Sequence, residues 1–502
     1  MPGTDKIQMS IKRRGAVAAA PRRNQTQGGA RKPMETKSKN PRTGAPVLRA
    51  VLPNTARPLQ VIHESDAISK LSLLIFGLGN LVNRQIGRGL ILLAIEAGYI
   101  AYMAAFGIAA MGDFFTLGTA LQEEVWDEAL GIFVYTKGDN SMLCMLYGVI
   151  TIVLTAIVIA VAYMSLKSAY CTQKRKERGM HIPTFRDDLH SLLEENIHGL
   201  LMAFPSFGIL AFTIIPLVFM ILIAFTSYDR DHQPPGNLFE WVGLANFAQL
   251  FSSGSRLAAT FWPVLGWTLI WAVCATFSNF ILGMLLALLI NRKDTRIKGF
   301  WRFVFVLSIA VPQFVTLLSM STIFNANGPV NVMLRAIGLL GATESIPFFT
   351  DATYAKITII GINMWIGIPY TMLSTTGILQ NIPVELYEAA RIDGAKPPTI
   401  FRKITLPYMM FVMTPTLITA FTGNINNFNV IYLLTGGGPD SLDYYFAGKT
   451  DLLITWLYRL TITQKDYNLG SVIGIMTFIV LAVTSLLTYH RTGAYKDEGA
   501  FQ

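Results

Sequence analysis

The chain has 502 residues, of which 52% are apolar and only 14% charged, with a mean hydropathy of +0.44 and a formal net charge of +10 at pH 7. That balance is too apolar and too sparsely charged for an ordinary soluble protein of this length, and it reads as an all-α polytopic membrane protein. Nucleic acid is not implied by the positive charge, because residues 1–60 hold 13 Lys/Arg against Asp5 and Glu35, and the remaining chain is near neutral. The three cysteines, Cys144, Cys171 and Cys274, have neither paired nor metal-ligand spacing, so no disulfide framework and no zinc site is expected.

Residues 1–65 are rich in Lys, Arg, Gly, Pro, Thr and Asn and lack an apolar period. They cannot bury enough surface to offset the entropy of ordering, and a disordered basic cytoplasmic tail is expected, attracted to anionic lipid head groups. Leu71 to Leu81 is apolar over about 11 residues, against the roughly 20 needed to cross hydrocarbon, so an interfacial helix is expected there. Eight segments are long enough to span: 89–110, 143–166, 199–226, 264–290, 303–324, 354–378, 408–433 and 469–490. Each must be helical, because backbone polar groups in lipid need partners within the segment.

Loop charge sets the orientation. Lys174, Arg175, Lys176 and Arg178 follow the second segment, Arg292, Lys293, Arg296 and Lys298 the fourth, and Arg391, Lys396, Arg402 and Lys403 the sixth. The alternate loops carry few basic residues, which places both termini and the 383–407 interval in the cytoplasm. Among the outer loops, the first is acidic (Glu123, Glu124, Asp127, Glu128) around Val125, Trp126, Leu130 and Ile132 and suggests a surface helix. Residues 331–341 of a later outer loop suggest another.

Pro383 to Pro407 reads as a helix, a tight turn and a second helix, with Asn381 a candidate cap and the second helix restarting near Thr399. Leu386, Ala389 and Ala390 share one face with small side chains that permit close approach, and Gly394 after Asp393 supplies a left-handed stop.

Polar residues inside the spans cluster in two places. Asn363, Trp365, Gly367, Pro369 and Tyr370 lie in the sixth segment, and Asn424, Asn426 and Asn427 in the seventh, beside Gly423. Aromatic faces with amide and phenol groups suit a neutral sugar, whose C–H faces stack and whose hydroxyls bond without desolvating a charge. The same residues equally suit bonding between helices. Glu96 stands alone in the first segment. Gly448-Lys449-Thr450 echoes a phosphate loop, but Asp443 stands where that motif requires glycine, so this chain is not expected to hydrolyse ATP.

Two stretches carry a family resemblance. Glu388-Ala389-Ala390, Asp393-Gly394-Ala395, Phe401, Ile404 and Leu406-Pro407 resemble the EAA loop of ABC importer permeases, a coupling helix that sits in a cleft of the cytoplasmic ATPase. NMWIGIPY at 363–370, NINNF at 424–428, LLTGGGPD at 433–440 and GKTDLLITWLYR at 448–459 resemble the larger membrane subunit of maltose/maltodextrin importers.

The resemblance implies about eight membrane helices with a six-helix type I permease core over 199–490, preceded by an accessory region at 66–198 and followed by a cytoplasmic tail at 491–502. It implies a sugar site at Asn363, Trp365, Ile366, Gly367, Tyr370, Asn424 and Asn427, and coupling contacts at Glu388, Ala389, Ala390, Asp393, Gly394 and Ala395. Implied partners are a second permease subunit, two copies of an ABC ATPase that uses ATP and Mg, and an extracytoplasmic sugar-binding protein, in a bacterial or archaeal plasma membrane. No cofactor or metal on this chain is implied.

Two departures stand out. Residues 227–263 leave no room for the large outer-loop domain of the enteric version, and Gly423 replaces an aromatic there. A different or longer glucan, trehalose or another oligosaccharide thus remains open as cargo, and an ion-coupled transporter is disfavoured because Glu96 is the one intramembrane acid available.

Overall fold

The structure, a computed structural model, describes residues 38–39, 46–47, 58–292 and 294–490. Most of the expected basic tail and the expected C-terminal tail lie outside these residues. Two compact units divide the chain after Ser65. In the first, two-residue strands at 38–39 and 46–47 pair, and Pro58–Glu64 is helical where the composition reads as disordered.

In the second unit, seven described helices are long and apolar enough to cross a membrane, and a bent pair makes an eighth span. They run Ile86–Thr116, Ser141–Glu177, Ile197–Ile223, Arg256–Asn291, Lys298–Ala310 with Gln313–Ile323, Ala352–Gln380, Pro397–Ile425 and Tyr467–Leu487. All eight expected segments are present, and two differ in form.

The fifth, expected to be continuous over 303–324, bends by 88° between Ala310 and Gln313. Pro312 causes this: its ring disfavours the helical conformation at Val311, which is extended at ψ 126°. The seventh, expected to reach 433, ends at Ile425, and a separate helix runs Phe428–Thr435. Asn426 and Asn427 break it, since asparagine side chains compete for backbone groups, and the Asn427 side chain accepts from the Val430 N–H at 3.3 Å.

The fourth span is the central pillar. It packs along the sixth and against the seventh, with Trp267, Trp271 and Ala275 in one buried cluster with Ile359, Ile362, Val430 and Ile431. Toward its start, Leu257, Phe261 and Val264 join Trp456, Val472 and Ile473 in a second core.

Leu71 to Leu81 is not one interfacial helix. Short helices Ala67–Leu71 and Leu78–Val82 flank a turn closed by Gly77 at φ +76°. That turn explains Glu96, whose Oε2 accepts the Phe76 N–H at 2.7 Å, while Ser165 Oγ accepts the Gly77 N–H at 2.8 Å. The acid satisfies a backbone donor that the turn exposes.

The first outer loop is likewise a β-hairpin and not a helix: Glu124–Asp127 pairs antiparallel with Ile132–Tyr135. Four successive β-branched or aromatic residues at 132–135 favour a strand, and Gly131 at φ +65° makes the turn. In the later outer loop the helix spans Pro329–Ala336, stopping short of the expected 341 because Gly338 turns left-handed at φ +77°. Residues 227–263 hold only the short helix Ala245–Phe251 and the start of the fourth span.

Candidate functional site

A cavity of about 450 Å³ opens where the fifth, sixth and seventh spans meet, within the roughly 300–1,000 Å³ usual for small-molecule sites. The sixth span supplies Asn363, Trp365, Ile366, Gly367 and Tyr370. Asn424 and Asn427 come from the break that ends the seventh. All seven sequence-expected residues thus line one space. The bend of the fifth span adds four that sequence reasoning missed: Ser308, Val311, Gln313 and Thr316. Pro312 was the available signal, because a helix opened at a proline turns polar neighbours such as Gln313 inward.

Each side chain has a distinct local cause. The sixth span is helical through Pro369, whose missing N–H deprives the Trp365 carbonyl of its usual helical donor. Gly367 packs closely on the fourth span: a Cβ there would meet the side-chain amide of Asn279, which would have to turn away. Asn363 is only 6% exposed, and its Nδ2 has no hydrogen-bond partner within the chain. That nitrogen is itself closed off from solvent, and an unpaired buried amide donor costs about 1–3 kcal/mol. Trp365 and Tyr370 are 62% and 54% exposed, which leaves their faces open for stacking.

Asn424 is different. Its Nδ2 donates to Thr276 Oγ1 at 3.0 Å, its Oδ1 accepts from Asn427 Nδ2 at 3.3 Å, and its carbonyl accepts from Trp271 Nε1 at 3.1 Å. It therefore ties the helix break to the fourth span as well as lining the cavity. No lining residue is charged, so the space suits a neutral, hydroxyl-rich ligand and offers an ion no counter-charge.

The 383–407 interval forms the expected hairpin, with corrections at its ends. Asn381 caps the end of the sixth span, and Pro383 occupies the start of helix Val384–Ile392 without a side-chain cap. That helix stops in a Schellman motif, with the Ala395 N–H donating to Ala390 O at 2.9 Å and the Gly394 N–H to Arg391 O at 3.0 Å. Gly394 has φ +74°, and a Cβ there would meet nothing within 4 Å. The second helix restarts at Pro397, two residues before Thr399, and runs unbroken through a π turn at Phe401–Thr405 into the seventh span. Tyr387 and Thr405 hydroxyls, 3.1 Å apart, tie the two arms. Glu388, Ala389, Asp393 and Gly394 are exposed, and Ala390 and Ala395 half-buried.

Gly448-Lys449-Thr450 forms no open phosphate cradle. Asp451 Oδ2 accepts the Gly448 N–H at 2.7 Å, Lys449 Nζ lies 3.7 Å from the Tyr444 ring centre, and the Thr450 and Thr435 hydroxyls pair at 2.9 Å. Burial pushes the Asp451 carboxyl above the usual carboxylate range even though Arg459 lies 3.2 Å away.

Comparison with known proteins agrees with this architecture. A family described as binding-protein-dependent transport system inner membrane component matches residues 279–490. The chain is 34% identical over 432 residues to the galactooligosaccharides transport system permease protein GanP of Bacillus subtilis (strain 168), covering 86% of this chain and 99% of that one. Against the maltodextrin transport system permease protein MalC of Streptococcus pneumoniae it is 34% identical over 446 residues, covering 87% and 98%. The maltose/maltodextrin transport system permease protein MalF of Escherichia coli (strain K12) is 35% identical over 256 residues, covering 50% and 49%. The chain therefore belongs to the binding-protein-dependent transport system inner-membrane component family, as a membrane-embedded permease subunit of ABC importers.

Proposed function

We propose that this permease forms one half of a heterodimeric path for malto-oligosaccharides, and that the cavity between the fifth, sixth and seventh spans holds the sugar in transit. The observation that carries this is the uncharged cavity in which Asn363, Asn424 and Asn427 line the same space as the open rings of Trp365 and Tyr370. The amide side chains of the lining offer partners to sugar hydroxyls, and the exposed rings of Trp365 and Tyr370 offer stacking surfaces to ring C–H faces. The names of the pneumococcal and enteric relatives favour maltodextrin.

The 383–407 hairpin would dock on a cytoplasmic ATPase, two copies of which use ATP and Mg for the importer. An extracytoplasmic binding protein delivers the sugar, and both termini lie in the cytoplasm. This chain itself hydrolyses nothing.

A second cargo, galacto-oligosaccharide, is favoured by the Bacillus subtilis relative. Uptake of labelled maltohexaose by cells with this chain as their oligosaccharide permease, competed with unlabelled galactotetraose, separates the two. Saturable maltohexaose uptake that galactotetraose does not reduce is expected. Uptake of galactotetraose alone would reassign the cargo, and uptake of neither would remove the oligosaccharide reading.

A further inference from the structure

One aromatic cluster lies beside the cavity without belonging to its lining. The helix Phe428–Thr435 begins at Asn427, a cavity residue, and buries Val430, Ile431 and Leu434 on one face. Its other face carries Phe428 and Tyr432, one helical turn apart, with ring centres 4.8 Å apart and planes inclined by 21°. Tyr458 closes the group edge-on, 5.0 Å from Phe428 and 5.2 Å from Tyr432. Tyr432 is 40% exposed. Next to Asn424, Gly423 offers open space, since a Cβ there would meet nothing within 4 Å.

We propose that Phe428, Tyr432 and Tyr458 form a second sugar subsite, continuous with the cavity, that stacks a further ring of a longer oligosaccharide. This rests on the sugar reading of the cavity. Its occupant follows from continuity and chemistry: the platform starts at the residue that ends the amide cluster, and it joins aromatic faces to two phenol hydroxyls. These three rings lie outside the lining of the cavity itself, so they meet a ring beyond those that the cavity holds. The subsite is therefore a length-selecting element, felt by long substrates and not by short ones.

The test is transport by the assembled importer, with maltose and maltohexaose as probes. Tyr432→Leu should raise the ratio of the maltohexaose KM to the maltose KM by about 2- to 10-fold, the range of an aromatic contact. Tyr432→Phe keeps the ring and should hold that ratio at the wild-type value. Asn363→Ala should weaken both sugars. A ratio unmoved by Tyr432→Leu, while Asn363→Ala weakens both, overturns the subsite and leaves the cavity reading standing. Normal transport of both sugars by Asn363→Ala overturns the cavity reading and the subsite with it. Loss of Tyr432→Leu from the assembled complex would assign this face to subunit packing and also overturn the proposal.

Discussion

At the scale of single residues, the cavity separates groups that hold the protein together from groups left free to hold something else. Asn424 spends its donor on Thr276 and its carbonyl on Trp271, whereas Asn363 keeps its amide donor unpaired although it is buried. Asn363→Ala should therefore reduce sugar affinity by about 5- to 150-fold, the cost of a buried hydrogen-bond partner, with membrane insertion unchanged. Asn424→Ala should lower both transport and the melting temperature, because it also frees Thr276. Thermal unfolding in detergent, run beside uptake, checks the difference. Gly367 is sensitive for a packing reason: Gly367→Val would force Asn279 away and should cost stability before any effect on sugar is measured.

These distinctions were only partly legible in the sequence. Amides and aromatics in otherwise apolar segments announced the cavity, because polar groups in lipid need a reason to be there. Which amide was already satisfied depended on Thr276, 148 positions from Asn424, and no local pattern reports that. Glu96 was unreadable for the same reason, since its partner is a backbone N–H in a turn and not a cation.

At the scale of elements, the informative features are interruptions. Pro312 bends the fifth span, the asparagines at 424–427 end the seventh, and Gly394 stops the hairpin's first arm. Hydropathy located all eight spans but passed through two of these breaks, because an apolar window averages over a single proline or asparagine. It also missed the 124–135 hairpin, where the acidic residues around Val125 and Trp126 drew attention from the unbroken β-favouring run at 132–135.

Gly394→Asp places a Cβ in a left-handed position, at roughly 1–2 kcal/mol, and a charge on the exposed turn that would face the ATPase. It should leave the chain inserted and sugar-competent but abolish uptake and co-purification with the ATPase subunit. Wild-type assembly and transport in that variant would remove the coupling role.

Between the second and third spans, Thr184 and Asp187 form a capping box, and bonds from the Thr184 N–H, His181 and the Thr184 hydroxyl hold Asp187 down to about 2. A depressed carboxylate stabilises above its ordinary value and loses that contribution as pH falls toward the folded value. Hydrogen-exchange protection in helix Phe185–Leu193, taken relative to the unfolded-chain rate at each pH, should thus be unchanged from pH 7 to about 5 and fall only on further acidification. A loss of protection between pH 7 and 6 would contradict the capping assignment.

At the scale of the whole molecule, counting the bent pair as one span makes eight, and with the basic bias of alternate loops this leads us to expect both termini and the hairpin on the cytoplasmic face. Cys171, near the end of the second span, should not react with an impermeant thiol reagent in intact cells, whereas a cysteine introduced at Ser252 should. The reverse pattern would invert the protein and put the hairpin on the wrong face for any ATPase.

The central claim is that sugar crosses through the cavity lined by Asn363, Trp365 and Tyr370. Initial rates of labelled maltohexaose uptake, measured at equal membrane amounts of wild type and Asn363→Ala, test it most directly. The account predicts saturable uptake by the wild type and a loss of at least about 5-fold in the variant at sub-saturating sugar; equal rates would contradict it.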